Sequence, residues 1–102
     1  MENKSFNVAV LGAGNIGSAV VTRLINLDKE IVELNVVKVL VKDTSKKREI
    51  SSEILTDDFT DILNDETIDL VIEVLGGVEP GKEYIKSLLS NGKAVITANK
   101  DI

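Results

Sequence analysis

FNVAVLGAGNIG, residues 6–17, is a short apolar run that ends in three closely spaced glycines. A valine-rich run that is apolar on both faces is typical of a strand buried on both sides of a parallel sheet. A helical pattern follows, so Gly12, Gly14 and Gly17 occupy a turn from a strand into a helix. This stretch therefore predicts the opening strand, turn and helix of an α/β sheet.

Apolar runs alternate with amphipathic stretches along the rest of the chain. A helix is predicted over residues 15–27, because Ile16, Val20, Leu24 and Leu27 form one apolar stripe. Residues 29–34 continue that helix or form a separate turn. The other predicted elements are strands at 36–41, 69–75 and 94–98, a short strand near 53–56, a short helix capped by Asp57 or Asp58 and ending at Leu63, and a helix between Pro80 and Gly92.

This alternation predicts the fold class. Successive parallel strands need crossover connections, which are right-handed and place helices on both faces of the sheet. The predicted fold is therefore α/β: a Rossmann-type doubly wound parallel sheet in three α/β/α layers, with the strand order 3-2-1-4-5. We expect residues 1–102 to form one domain.

Composition excludes several classes of function. The net charge of -5 gives no basic surface for nucleic acid, and two Phe and one Tyr cannot form a base-stacking platform. Because the chain has no cysteine and no histidine, it lacks disulfides, thiolate nucleophiles and imidazole bases. The carboxylates show no metal-ligand spacing, so no metal site is expected. The short apolar run at the N-terminus predicts neither export nor a membrane span, and we expect a cytoplasmic protein.

The glycine turn predicts a dinucleotide site. In a G-x-G-x-x-G turn, Gly12 makes the tight bend, Gly14 leaves room for a pyrophosphate, and Gly17 lets the helix lie close to the sheet. The free amides at the start of the helix, around Asn15 and Ile16, then bind the anion. The alternative is a glycine-rich turn without a ligand.

The end of the second strand should select the cofactor. A basic residue there accepts the 2′-phosphate of NADP, whereas an acid binds the ribose hydroxyls of NAD. Lys42 fits the first role and Asp43 the second. Lys46, Lys47 and Arg48 either join Lys42 or form a solvated loop, so the pattern favours NADP and leaves NAD open.

The second half of the chain carries a resemblance to a family. It contains IDLVIEVLGGVEP at residues 68–80 and NGKAVITANK at residues 91–100. These motifs closely resemble the cofactor-binding domain of homoserine dehydrogenase, and the likeness runs from the first strand to the last residue. The resemblance implies NAD(P)-dependent interconversion of aspartate semialdehyde and homoserine, in threonine and methionine biosynthesis, by a homo-oligomeric parent enzyme. Lys42 stands where many relatives carry arginine.

Candidate site residues follow at the carboxyl ends of the later strands. Gly76 and Gly77 would let the backbone approach a nicotinamide ribose, or they form only a permissive turn. Thr97 and Asn99 offer hydrogen bonds to a nicotinamide amide. Lys100 matches a lysine of the family's active site, so the resemblance implies a catalytic role, although a lysine near a chain end is usually a solvated charge. Glu73, in the interior of a strand, either belongs to the site or has the structural role of hydrogen-bonding the backbone or a neighbouring loop.

The family continues beyond this motif into a catalytic and dimerisation domain. We therefore expect this chain to be a fragment that carries only the cofactor-binding domain. Two alternatives are a stand-alone nucleotide-sensing module and another small dehydrogenase or reductase, such as aspartate dehydrogenase or dihydrodipicolinate reductase. The sequence downstream of Ile102 in the parent gene would separate them.

Overall fold

The computed structural model of the chain describes residues 4–12, 19, 23, 32–46 and 50–98. The described strands and helices are β1 (Lys4–Leu11), β2 (Val32–Leu40), β3 (Leu55–Thr56), α1 (Thr60–Leu63), β4 (Leu70–Glu73), α2 (Gly81–Ser90) and β5 (Ala94–Thr97), with a 3-10 turn at Ser52–Ile54 before β3.

The strands form one sheet in the order β3-β2-β1-β4-β5, and every neighbouring pair is parallel. This confirms the predicted α/β class and the predicted strand order. After β3 the chain crosses to the other side of β1 and adds β4 there. The connections therefore run in opposite directions from β1, and such a reversal opens a crevice beyond the carboxyl ends of the strands.

β1 supplies the centre of the core. Residues 8–11 are fully buried, and their side chains alternate between the two faces of the sheet. On one face, Leu11 packs in a cluster with Ile62 of α1 and Leu88 of α2. On the other face, Val8 and Val10 pack in a cluster with Val39 of β2. The predicted apolar stripe of residues 15–27 lies outside the described residues, although Ala19 and Arg23 are helical.

β2 corrects one prediction. It begins at Val32, so residues 32–34 neither continue a helix nor form a turn. They pair with Lys4–Phe6 of β1, and this pairing satisfies their backbone groups whatever their side chains are. The register then shifts between Val8 and Ala9 of β1. Hydrogen bonding to β1 therefore outweighs the local sequence pattern, which predicts a helix or a turn at these residues.

The boundaries of β4 and β5 also differ slightly from the prediction. β4 ends at Glu73: the Val74 amide forms the last bond of the ladder with β1, to the Leu11 carbonyl, and the Leu75 amide then leaves the ladder and donates to the Glu73 side chain. β5 ends at Thr97.

Both described helices begin close to the predicted signals, although Phe59, and neither Asp57 nor Asp58, directly precedes α1. At α1, Asp58 Oδ1 accepts from the amide and the hydroxyl of Thr60, at 2.9 and 2.6 Å. α2 follows Pro80, whose peptide bond with Glu79 is cis, and the chain leaves the helix through Gly92 at φ +79°. In the ranges that the structure describes, no helix is both long and apolar enough to cross a membrane.

Candidate functional site

A crevice of about 410 Å³ lies at the carboxyl edge of the sheet, by which we mean the strand ends at Leu11, Leu40, Thr56, Glu73 and Thr97. The turn after β1, the loop after β2, the turn after β4 and the start of α2 form its walls. Its lining residues are Gly12, Leu40, Val41, Lys42, Lys46, Val74, Leu75, Gly76, Glu79, Pro80 and Tyr84.

Gly12 forms the floor of the crevice. Its amide donates to the Leu40 carbonyl at 2.9 Å, so the chain turns immediately after β1 while still bonded to β2. Its φ is +104°, and a Cβ atom added there would lie 3.2 Å from Leu75 Cδ2. A side chain at this position would be both strained and crowded, which explains the glycine without any ligand.

Gly76 and Gly77 differ in backbone conformation. Gly77 has φ +76°, a conformation that favours glycine. Gly76 has an ordinary φ, and a Cβ added to it would meet no atom of the described residues within 4 Å. Gly76 nevertheless lines the crevice, and its missing side chain leaves that wall open.

Two exposed lysines approach the crevice from the loop after β2. Lys42 and Lys46 both line it, which makes this wall positive although the whole chain has a net charge of -5. Asp43 stabilises the loop after β2, because its Oδ1 accepts from the amide of Ser45 at 2.9 Å and from the Ser45 hydroxyl at 2.5 Å. Lys47 and Arg48 lie outside the described residues.

Glu73 lies beneath the turn after β4 and is fully buried. Its Oε2 accepts from the Leu75 amide at 2.6 Å, and its Oε1 accepts from the Thr97 hydroxyl at 2.6 Å. The sequence left the role of Glu73 open between a site role and hydrogen bonding to a neighbouring loop. The structure places both carboxylate oxygens in such hydrogen bonds, one of them to the end of β5.

The sequence missed Tyr84 and Glu79 as wall residues. The sequence predicts Tyr84 only as a residue of the helix between Pro80 and Gly92, yet it lines the crevice and its ring stacks on Phe59 with centroids 4.0 Å apart. A usable signal was present, because Tyr84 lies in the first turn of a helix that starts at the carboxyl edge. Glu79 gave no such signal.

The described residues thus bring Gly12, Lys42 and Gly76 together around one crevice, with Gly77 next to it and Thr97 on the neighbouring strand end. The other sequence-predicted site residues lie outside the described residues: Gly14, Asn15, Ile16, Gly17, Asn99 and Lys100. Within the described ranges, no group of three or more acidic, histidine or cysteine side chains could hold a metal ion.

Residues 12–102 match the sequence model of a family described as homoserine dehydrogenase, NAD binding domain. The chain is 41% identical to homoserine dehydrogenase of Bacillus subtilis and 40% identical to that of Mycobacterium tuberculosis strain H37Rv. Each alignment covers 97% of this chain and 24% of the relative. The chain therefore spans about a quarter of the length of the curated relatives it matches.

Solved structures give the same result. A crystal structure of Staphylococcus aureus homoserine dehydrogenase at pH 8.5 aligns with a TM-score of 0.88 at 40% identity, over 99% of this chain and 27% of that one. The homoserine dehydrogenase structure from Thiobacillus denitrificans aligns with a TM-score of 0.83 at 35% identity, over 96% of this chain and 24% of that one. The sequence and structure comparisons therefore both identify homoserine dehydrogenases as relatives of this chain.

Proposed function

The chain belongs to the homoserine dehydrogenase family, which it matches through the NAD-binding domain, and we propose that it holds the dinucleotide for the interconversion of L-homoserine and L-aspartate 4-semialdehyde. The observation that carries the proposal is the crevice at the carboxyl edge. It lies where the strand order reverses, and its lining includes two glycines and two lysines.

The described walls fit a dinucleotide. The bend at Gly12 lies where the pyrophosphate crosses the first strand in folds of this type, and Gly76 leaves room for a second approach to the backbone. The end of β2 contacts the adenosine ribose in such folds, so the adenosine half lies toward Lys42. The nicotinamide half then extends over the ends of β4 and β5.

We assign the pyrophosphate to the glycine turn. Gly14 leaves space for it, and the amides around Asn15 and Ile16 donate to its oxygens, because the first amides of a helix have no partner within the helix. Gly17 permits the close contact of helix and sheet that aims these amides at the anion.

NADP is the preferred cofactor in this proposal, with NAD as the alternative. Lys42 and Lys46 line the crevice on the adenosine side, where a 2′-phosphate would add negative charge. Asp43, the candidate ribose acceptor, already accepts two hydrogen bonds from Ser45. These two observations support NADP.

The balanced reaction is L-homoserine plus NADP⁺ giving L-aspartate 4-semialdehyde, NADPH and H⁺. When bound, the dinucleotide supplies the hydride acceptor of the forward direction and the hydride donor of the reverse. Thr97, through its backbone because its hydroxyl donates to Glu73, and Asn99 orient the nicotinamide amide at the end of β5. Lys100 holds the substrate oxygen with its ammonium group, which stabilises negative charge there and moves the proton that the oxygen gains or loses.

Binding is tested by titration calorimetry of the purified chain with NADPH and NADH. The proposal expects saturable binding of at least one of them. Circular dichroism of the same sample checks that the chain is folded, so absence of binding by a folded chain would contradict the proposal.

Turnover is tested in a hybrid. The chain alone should not oxidise homoserine measurably, since lost substrate orientation forfeits roughly 7 to 11 kcal/mol of barrier reduction. Replacing the matched quarter of the Bacillus subtilis enzyme with this chain should give turnover, and Lys100→Ala should depress it strongly. Lys86→Ala is the control, because Lys86 is an exposed residue of α2 in a 3.9 Å ion pair. Robust homoserine-dependent NADPH formation by the chain alone, or equal activity of the two hybrid variants, would contradict these assignments.

A further inference from the structure

Glu73 occupies the meeting point of three strand ends. It is the last residue of β4, and it pairs with Leu11 of β1 on one side and with Thr97 of β5 on the other. Leu11 directly precedes the bend at Gly12. One buried residue thus lies between the floor of the crevice and the end of β5.

The side chain adds bonds that the sheet alone would not form. The ladder between β4 and β5 ends with the Ala98 amide donating to the Glu73 carbonyl. The carboxylate then bonds the Leu75 amide, which leads into the Gly76–Gly77 turn, and the Thr97 hydroxyl. Through these two bonds, one carboxylate connects the turn after β4 to the end of β5.

A carboxylate is a costly choice for a fully buried position in a sheet. Desolvation of a charged group is unfavourable, and an apolar residue of similar size would pack at such a position without that penalty. Both oxygens accept short hydrogen bonds, which reduces the penalty, and both bonds hold segments of the carboxyl edge. The two hydrogen bonds of the buried carboxylate therefore fix the local geometry at the crevice.

We propose that Glu73 is a positioning residue for the nicotinamide half of the bound dinucleotide, acting by joining the Gly76–Gly77 turn to the end of β5. The inference rests on the proposed function, because it assumes that a dinucleotide lies across these strand ends. Glu73 does not itself touch the ligand. It fixes the distance between the two segments that do.

The test compares a whole dinucleotide with its adenosine half in the purified chain. Calorimetry gives the dissociation constants of NADPH and of 2′,5′-ADP for wild type and for Glu73→Gln. The glutamine keeps the volume but can accept through only one atom, so it cannot serve both donors in the same way. We expect at least a fivefold loss for NADPH and less than a twofold change for 2′,5′-ADP. If wild type prefers NADH, the pair becomes NADH and ADP.

Two variants of Thr97 test the same link from its other end. Thr97→Val removes the hydroxyl donor and should reproduce the selective loss, whereas Thr97→Ser keeps the donor and should restore NADPH affinity. Thr56→Val is the matched control, because Thr56 also ends a strand and donates its hydroxyl to a carboxylate, Asp61 Oδ2 at 2.6 Å, but does so at β3. It should leave the ratio of the two affinities unchanged.

The outcomes separate this inference from the proposed function. Wild type that binds neither dinucleotide overturns both. Two results would overturn only the role of Glu73, provided that the wild type binds a dinucleotide. In the first, the NADPH affinity of Glu73→Gln lies within twofold of the wild-type value. In the second, Glu73→Gln loses affinity equally for the dinucleotide and for its adenosine half. If Glu73→Gln does not fold, the ratio of the NADPH and 2′,5′-ADP affinities of Thr97→Val tests the role of Glu73 instead.

Discussion

The carboxyl edge and the amino edge of the sheet lie at opposite ends of the same strands and differ in the residues that line their cavities. The carboxyl edge holds the crevice of about 410 Å³, and the amino edge, where β4 and β5 begin, holds a cavity of about 380 Å³. Size therefore does not distinguish them. Their linings do, because one lysine, Lys93, lines the amino-edge cavity, whereas Lys42 and Lys46 both line the carboxyl-edge crevice.

At the amino edge, polar side chains close the loops. Lys93 Nζ donates to the Asp65 carbonyl at 2.6 Å, and Asp65 Oδ1 accepts from the hydroxyl and the amide of Thr67 at 2.6 and 2.9 Å. Asn7 is held by Asp69 and by the Thr67 carbonyl. At the carboxyl edge, Asp43 and Glu73 also hold loops, but Gly12, Gly76 and two exposed lysines line the crevice beside them. The comparison supports the proposal that the carboxyl-edge crevice is the dinucleotide site.

The largest expected effect comes from a side chain at Gly12. Gly12 and Gly92 both have positive φ, at +104° and +79°, so backbone strain costs an alanine roughly 1 to 2 kcal/mol of stability at either position, and at Gly12 the contact with Leu75 Cδ2 adds to it. Only Gly12 lies in the carboxyl-edge crevice. Calorimetry should show that Gly12→Ala abolishes dinucleotide binding while Gly92→Ala preserves it. Equal affinities for the two variants would remove the functional difference between the edges.

Lysine substitutions should give the next largest effect. Lys42→Ala should weaken NADPH binding about tenfold or more and spare NADH, because one charge-assisted bond to a phosphate is worth roughly 1.5 to 3 kcal/mol. Lys93→Ala should instead lower the free energy of unfolding by about 1 to 3 kcal/mol, since it leaves carbonyls without a donor, and it should not change cofactor preference. Equal losses for both cofactors in Lys42→Ala would favour Asp43 as the selecting residue.

A smaller effect is expected at Gly76. Gly76→Ala should leave the urea midpoint almost unchanged, because φ is ordinary and no described atom lies within 4 Å of the added Cβ. It should weaken dinucleotide binding a few-fold, since the methyl group would project from the open wall. Gly77→Ala is the contrast, because its φ of +76° makes the variant less stable. Unchanged binding in Gly76→Ala would mean that this wall does not meet the ligand.

The smallest effect concerns acid stability, and there the two edges should behave alike. The Thr67 hydroxyl bond lowers the pKa of Asp65 at the amino edge, and the Thr60 hydroxyl bond lowers the pKa of Asp58 at the carboxyl edge. A carboxyl whose folded pKa lies below its ordinary value of 3.8 adds stability above that pH, which is lost as the pH falls through the folded pKa.

Denaturant midpoints over a pH series test this expectation. Thr67→Val and Thr60→Val should each be slightly less stable than wild type at neutral pH. The difference should shrink below the ordinary aspartate pKa, while dinucleotide affinity stays unchanged. A difference that persists into strong acid would show that the threonines act through packing.

The sequence predicted the strand order because short apolar runs, a glycine turn and a helix that ends at Gly92 all agree with one topology. It failed at Val32, where the strand depends on pairing with a partner more than 20 residues away. It also missed the stacking of Tyr84 on Phe59, which involves two separate helix starts. Lys42 and Gly76 were predicted because each directly follows a buried strand. Glu73 stayed ambiguous because its partner Thr97 lies on another strand.

The wall position of Tyr84 has a practical consequence. The chain contains a single tyrosine and no tryptophan, so its ultraviolet emission comes from the ring that lines the crevice. A ligand that enters changes the surroundings of that ring, and a reduced nicotinamide would absorb part of its emission. The fluorescence of Tyr84 can therefore report whether the crevice is occupied. No label is needed, and no other tyrosine or tryptophan contributes to the signal.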